Sequence, residues 1–335
     1  MQTIFPTKTR VLTALCAAAL ATLALQPTAS AQDEKTIATV VKLAGDPWWN
    51  RMEEGIEQFN EENEGVRVFQ QGPSQADAAL QAQLIEDLIA QQVDALSVVP
   101  LSPQTLEPVL QKAKDAGIVV VMHEGETQPT KDFDIEAFDN EDYGCHLMDE
   151  LASRMGEEGE YAVYVGKLTN VTHNQWVDSA IECQQEKYPN MTHVGDKIVT
   201  DEDAQTAYRK TQEVLVSYPN IKGFQGSSSN DVVGIGQAVE EAGLEDRTAV
   251  VGTSLVSLAG NLLETGAVDM IGFWDPKLAG MAMSEVALRL LNGETIEDGA
   301  DLGVQGYHEV DVEGDIIKGS AWVDVTKENM GDYDF

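Results

Sequence analysis

From about residue 35 onward the chain alternates short β-branched runs with amphipathic stretches, and that repetition leaves few folds open. Residues 37–41, 66–70, 95–99 and 118–122 have the composition of strands, and 48–63, 76–92 and 105–116 have the apolar period of helices. In the second of these helices Leu80, Leu84, Ile85, Leu88 and Ile89 fall on one stripe, and Gly117 ends the third and hands the chain to the fourth strand. The strands are apolar almost throughout, so both of their faces must be covered. Repeated β-α-β with such strands makes a parallel sheet between two layers of helices.

The rhythm breaks over 125–140, a polar, Pro-containing stretch that ends in Ile135-Glu136-Ala137-Phe138-Asp139-Asn140. It then restarts, with strands at 161–165, 193–199, 221–225, 249–251 and 270–273 and helices near 142–155, 174–187, 202–217, 230–242 and 256–265. Residues 276–291 form a further apolar helix, and the rest up to Phe335 is shorter and irregular. Two βα runs joined by an irregular crossing predict an α/β chain of two similar Rossmann-like lobes, each with a parallel sheet, and a cleft between them. Sheets of this kind take ligands beyond the carboxyl ends of their strands.

The first such edge is the most informative. An apolar strand runs into Lys42 and then into Gly45-Asp46-Pro47-Trp48-Trp49, a turn that opens a helix on two adjacent indoles. Core demand alone rarely places two tryptophans directly after a Pro turn. Flat aromatic faces beside Lys42, Asp46 and later carboxylates suit a small polyhydroxylated molecule, whose C–H faces stack on indole while its hydroxyls need fixed donors and acceptors. The other strand-end loops add His123-Glu124-Gly125-Glu126, 167–176, 226–231, 252–255 and Trp274-Asp275-Pro276.

Those loops are poor in catalytic combinations. The chain has no Gly-x-Ser-x-Gly elbow, dinucleotide fingerprint, phosphate loop or His-Glu-x-x-His pattern, and its acids and histidines do not cluster at metal-ligand spacing. We therefore expect a binding protein and not an enzyme, with no cofactor and no metal. A formal net charge of −36 argues against nucleic acid or an anionic membrane surface as partner. Its dispersal along the chain is expected either of solubility in a saline medium or of an acidic face for a basic docking partner, between which the sequence does not choose.

Residues 1–31 are expected to lie outside the fold. Lys8 and Arg10 precede an apolar run over 11–25, and Ala29-Ser30-Ala31 supplies the small residues of a cleavage site, so a secretory signal peptide cut after Ala31 is expected. Leu15 before Cys16 is not the small residue that a lipoprotein site wants, and no later stretch has the roughly eighteen uninterrupted apolar residues of a spanning helix. Export makes a disulfide between Cys145 and Cys183 chemically possible. Their places, near the start of one helix and late in another, argue for Cα atoms beyond bridging reach.

With these residues in hand, the chain from residue 32 resembles the exported sugar-binding proteins of bacterial ABC importers, the ribose-binding group. Within that group it is most similar to the autoinducer-2-binding and rhamnose-binding proteins. The likeness is carried collinearly by Val41-Lys42-Leu43, Asn174-Gln175-Trp176-Val177, Phe273-Trp274-Asp275-Pro276, Gln305-Gly306-Tyr307-His308 and Asp332-Tyr333-Asp334-Phe335. The resemblance implies the type I periplasmic binding protein fold, in which two lobes joined by three hinge crossings close on one small ligand. The crossings would fall near 139–140, near 274–275 and near Gly306, giving lobes of 32–139 plus 276–305 and of 140–275 plus 306–335.

It also implies a site. Lys42 stands where autoinducer-2 binders have a ligand-contacting lysine, and Trp48 and Trp49 replace the paired phenylalanines of ribose binders. Glu124 takes the place of an aspartate that accepts sugar hydroxyls. Thr172 and His173 stand for an adjacent Asp and Gln, and Ser227 and Ser229 for Pro and Ala. Asn230 resembles the Asn of an Asn-Asp pair that bonds the ligand, and Trp274 and Asp275 lie at the hinge edge of the site. The reading of the first turn adds Asp46 as an acceptor, and Gln175 is expected among the ligand-binding residues. The implied ligand is a monosaccharide, a deoxysugar of rhamnose type or a small polyol, with autoinducer-2 as the alternative. The implied partners are an inner-membrane permease and, for a sensory role, a chemoreceptor. A periplasmic monomer is expected.

Overall fold

The computed structural model describes residues 1–3 and 34–335. The expected signal peptide thus lies, apart from its first three residues, outside the described part. From Lys35 the order is β1 (Lys35–Val40), α1 (Pro47–Glu62), β2 (Val66–Gln71), α2 (Ala78–Ala90), β3 (Ala95–Val98), α3 (Pro103–Asp115), β4 (Val119–Met122) and β5 (Phe133–Glu136). There follow α4 (Asn140–Met155), β6 (Gly159–Val165), α5 (Val171–Lys187), β7 (Met191–His193), β8 (Ile198–Val199), α6 (Ala204–Ser217), β9 (Gly223–Gly226), α7 (Ser229–Glu241), β10 (Ala249–Thr253), α8 (Val256–Thr265) and β11 (Met270–Phe273). The chain closes with α9 (Pro276–Leu291), β12 (Asp311–Glu313), β13 (Ile316–Lys318) and β14 (Val323–Val325).

The strands form two sheets. The first runs β12-β13-β5-β4-β3-β1-β2 and the second β14-β11-β10-β9-β6-β7, with β8 paired to β6 beyond β7. Pairing is parallel within each βα run, as buried strands such as Ala95–Val98 require. The antiparallel exceptions are the β12–β13 hairpin and β14 against β11. Among the described residues no helix is long and apolar enough to cross a membrane.

Three readings of the sequence change here. The strand expected over 193–199 is two, because Gly195 at φ +73 turns the chain out of extended backbone between β7 and β8. The third hinge crossing is not near Gly306. The chain first returns to the first sheet, where β13 pairs parallel with β5 and Ile317 is fully buried, and it crosses only over 319–322 before β14. Gly306 lies beside that crossing, its carbonyl accepting from the Ser320 amide at 2.8 Å. Strands of three residues are too short to show a period, so this hairpin could not be seen in the sequence.

The third change is the disulfide. Cys145 on α4 and Cys183 on α5 are bonded, with Cα atoms 5.4 Å apart. The two helices approach closely because Gly144 has no side chain: a Cβ there would stand 2.3 Å from the Trp176 carbonyl oxygen. Position along each helix, which argued against the bridge, says nothing of how near two helices pack.

Candidate functional site

The carboxyl ends of both sheets face one cleft. The first lobe supplies Lys42, Leu43, Asp46, Trp48, Trp49 and Glu124; the second supplies His173, Trp176, Glu202, Ser227, Ser228, Ser229 and Thr253; Trp274 stands at the hinge. A cleft walled by aromatic rings with a few convergent polar groups has the lining of a small-molecule site.

The turn after β1 is built by its sequence. Gly45 takes φ +78, a left-handed conformation that only Gly adopts without strain, and Asp46 caps α1 by accepting from the Trp48 amide at 2.9 Å. Pro47 at the first helical position fixes the entry, so the two indoles leave the helix start toward the cleft. The second Asp46 oxygen accepts from the Asn230 amide across the cleft at 3.2 Å.

Lys42 and Glu124 form a buried ion pair, 1% and 4% exposed. Burial opposes the Lys42 charge, yet the charge of Glu124, then of Glu202, and the hydrogen bond to Glu124 together hold its pKa above the ordinary value. Glu124 sits at φ +57. A non-Gly residue there costs about 1 to 3 kcal/mol and persists only where neighbours enforce it. The enforcing neighbour is Asp134 on β5, which accepts from the Gly125 amide at 2.9 Å. Beside it His123 directs Nδ1 at the Ile135 carbonyl at 2.5 Å, and burial lowers its pKa, so the ring is neutral.

The second lobe offers another carboxylate in the same backbone state. After β8, Asp201 and Glu202 adopt φ +55 and +60. The turn is tied below by Thr200, whose hydroxyl donates to Asp231 at 2.5 Å. Glu202 makes no ion pair among the described residues; Asn170 reaches one of its oxygens at 3.4 Å. Burial raises its pKa to about 7, against the pull of the Lys42 charge. His173 accepts from the Gly166 amide through Nδ1 at 3.2 Å, and burial, then Lys42, push it well below its ordinary value, so it is neutral with its proton on Nε2.

Aromatic edges close the hinge end. The Trp48 and Trp274 rings meet edge to face at 4.7 Å, and Trp274 meets Trp176 at 5.8 Å. Trp48 Nε1, Trp274 Nε1 and Ser227 Oγ are buried with no partner in the protein. Buried donors are nearly always satisfied, so three orphans lining one cleft mark it as a place where a polar ligand completes the bonding.

Several residues expected at the site lie elsewhere. Thr172 is fully buried behind the wall. Gln175 turns away and donates to Glu126. Asn230 spends its amide on Asp46 and on the Glu202 carbonyl at 3.1 Å, so it braces the site without lining it. Asp275 caps α9 and takes a bidentate pair from Arg51 at 2.9 and 2.8 Å. Leu43, Trp176, Ser228 and Thr253 fall in strand-end loops expected at the cleft without having been singled out, whereas Glu202 lies outside every such loop. The acidic run Asp201-Glu202-Asp203 was a usable signal, hidden because a strand read to 199 and a helix read from 202 left only two residues between them and put Glu202 in the helix.

Residues 37–295 match the periplasmic binding protein domain. The chain belongs to that family. Among curated proteins it is 28% identical over 288 residues to the D-ribose/D-allose-binding protein of Pseudomonas aeruginosa, covering 82% of this chain and 87% of that one. It is 29% identical over 238 residues to the D-allose-binding periplasmic protein of Escherichia coli, covering 68% and 76%. Among solved structures it superposes on an ABC transporter solute binding protein from Clostridium phytofermentas with bound L-rhamnose, at a TM-score of 0.81, 24% identity and coverage of 89% and 98%. LsrB from Clostridium saccharobutylicum in complex with AI-2 gives 0.82 at 20% identity, covering 90% and 100%. The fold is therefore that of the type I periplasmic binding proteins.

Proposed function

We propose that this protein is the periplasmic solute-binding component of an ABC importer, capturing a monosaccharide, deoxysugar or small polyol between its lobes and delivering it to an inner-membrane permease. The observation that carries this reading is the cleft itself, where indole faces stand beside an ordered carboxylate–ammonium pair and unpaired buried donors. Trp48 and Trp49 wall the ligand, Lys42 donates, Asp46 and Glu124 accept hydroxyl protons, and His173, Ser227 and Ser229 bond from the opposite lobe. A ligand held by both lobes binds the closed state better than the open one and shifts the population toward it, which is the signal a permease reads. The relatives named for ribose, allose and xylose binding support the ligand class. The same site would serve a chemoreceptor, and a cleaved signal peptide would deliver the protein to the periplasm as a monomer.

A thermal-shift screen over sugars and polyols, with autoinducer-2 included, tests the reading. A specific ligand at a hundred times its dissociation constant stabilises the folded state by about 2.7 kcal/mol. No stabilisation by any of these compounds overturns the proposal. Stabilisation by autoinducer-2 alone selects the second reading, which Lys42 favours.

A further inference from the structure

The cleft wall carries Asp46, Glu124 and Glu202 against Lys42 as its single cation among the described residues. His173 is neutral and adds no charge. The three carboxylates are not equivalent. Glu124 is bound by Lys42, and Asp46 spends its oxygens on the α1 cap and on Asn230. Glu202 alone faces the cleft with no cation of its own and one long contact from Asn170. A buried or half-buried carboxylate without a partner is costly, and a ligand that brings a cation removes that cost. Trp48 Nε1, Trp274 Nε1 and Ser227 Oγ, each buried and unpartnered among residues lining the same cleft, are further groups that a bound polar molecule would satisfy.

We infer that the preferred ligand is an amino sugar or amino polyol whose protonated amine pairs with Glu202, while its hydroxyls meet Glu124 and the orphan donors. This rests on the sugar-binding reading and narrows its ligand class. The Lys42 charge reaches Glu202, and Glu124, paired with that lysine, offsets part of its field at an incoming amine. The left-handed backbone at Asp201 and Glu202, tied by Thr200 to Asp231, holds the carboxylate at the wall. Against a neutral sugar Glu202, whose pKa burial raises to about 7, would stand partly protonated, whereas an amine would hold it ionised.

Titration calorimetry near pH 7 on the mature protein tests this with D-glucosamine, D-galactosamine and D-mannosamine, each against its parent hexose. We expect at least one amine to bind tighter than its parent by about tenfold or more, the size of one charge-assisted hydrogen bond. In Glu202→Gln, checked for folding by circular dichroism, that preference should collapse to within about threefold, since a neutral amide loses the charge but keeps an acceptor. Parents that bind as tightly as their amines, or a preference that survives Glu202→Gln, overturn the amine assignment and leave the sugar-binding reading standing. Binding by no member of either set counts against both.

Discussion

Each lobe brings a carboxylate to the cleft on a residue with left-handed backbone, and the two are treated in opposite ways. Glu124 is 4% exposed, neutralised by Lys42 and held by a turn fastened to β5. Glu202 is partly exposed, unpaired, and raised toward neutrality by burial. The Lys42–Glu124 pair of the first lobe is settled before anything binds. The second lobe keeps one charge open, so ligand preference is decided there.

The largest test of that contrast is stability. Removing one partner of a buried pair strands the other, so Lys42→Met should lose about 3 to 5 kcal/mol in urea unfolding at neutral pH. Glu202→Gln should do the reverse and hold or raise stability. The folded pKa of Glu202 is about 7 and its ordinary value 4.5, so the folded protein binds more protons there than the unfolded chain between these values. This group's contribution to stability therefore falls as pH rises through that window, and Glu202→Gln should flatten the fall. Equal losses in the two variants would break the comparison.

Much of this contrast was legible on the first lobe and little on the second. Gly45-Asp46-Pro47-Trp48-Trp49 encodes its turn, cap and walls within a few residues, so local chemistry names the site. Glu124 could be read because it follows a strand with a clear apolar run. Glu202 depends on where β8 ends, and that is fixed by Gly195 and by the Thr200–Asp231 bond, which joins residues 31 apart in sequence. The surroundings of Gln175 and Asn230 could not be read for the same reason. Their partners, Glu126 and Asp46, come from the other lobe, and no local pattern tells whether an amide will meet a ligand or a facing carboxylate.

Those facing partners give a second, smaller test. Glu126 accepts from Gln175 and, at 3.4 Å, from Asn140, and the Thr169 hydroxyl donates to the Leu101 carbonyl at 3.2 Å. These bonds join the lobes without a ligand and without lining the cleft. Glu126→Ala should therefore weaken binding of the identified ligand by about 1.5 kcal/mol, roughly tenfold, through the closing equilibrium alone. Small-angle scattering of the unliganded variant should show a more open particle. Wild-type affinity together with an unchanged particle would remove the latch from the account.

The smallest effect concerns the charges outside the cleft. A formal charge of −36 makes the exposed acids repel one another, and salt screens that repulsion, since the Debye length falls from about 10 Å at 0.1 M to about 3 Å at 1 M. The melting temperature should rise with NaCl across this range by about 2 to 4 °C, the shift that about 1 kcal/mol gives in a chain somewhat smaller than this one. Counter-ions cannot approach Lys42 and Glu124, which are 1% and 4% exposed. The deficit of Lys42→Met should then be the same at low and at molar salt, while the melting temperatures of variant and wild type climb together. A flat or falling wild-type trend would remove the case for salt adaptation of the surface. A variant deficit that shrinks as salt is added would mean that solvent reaches the pair, and the first lobe would then be no more settled than the second.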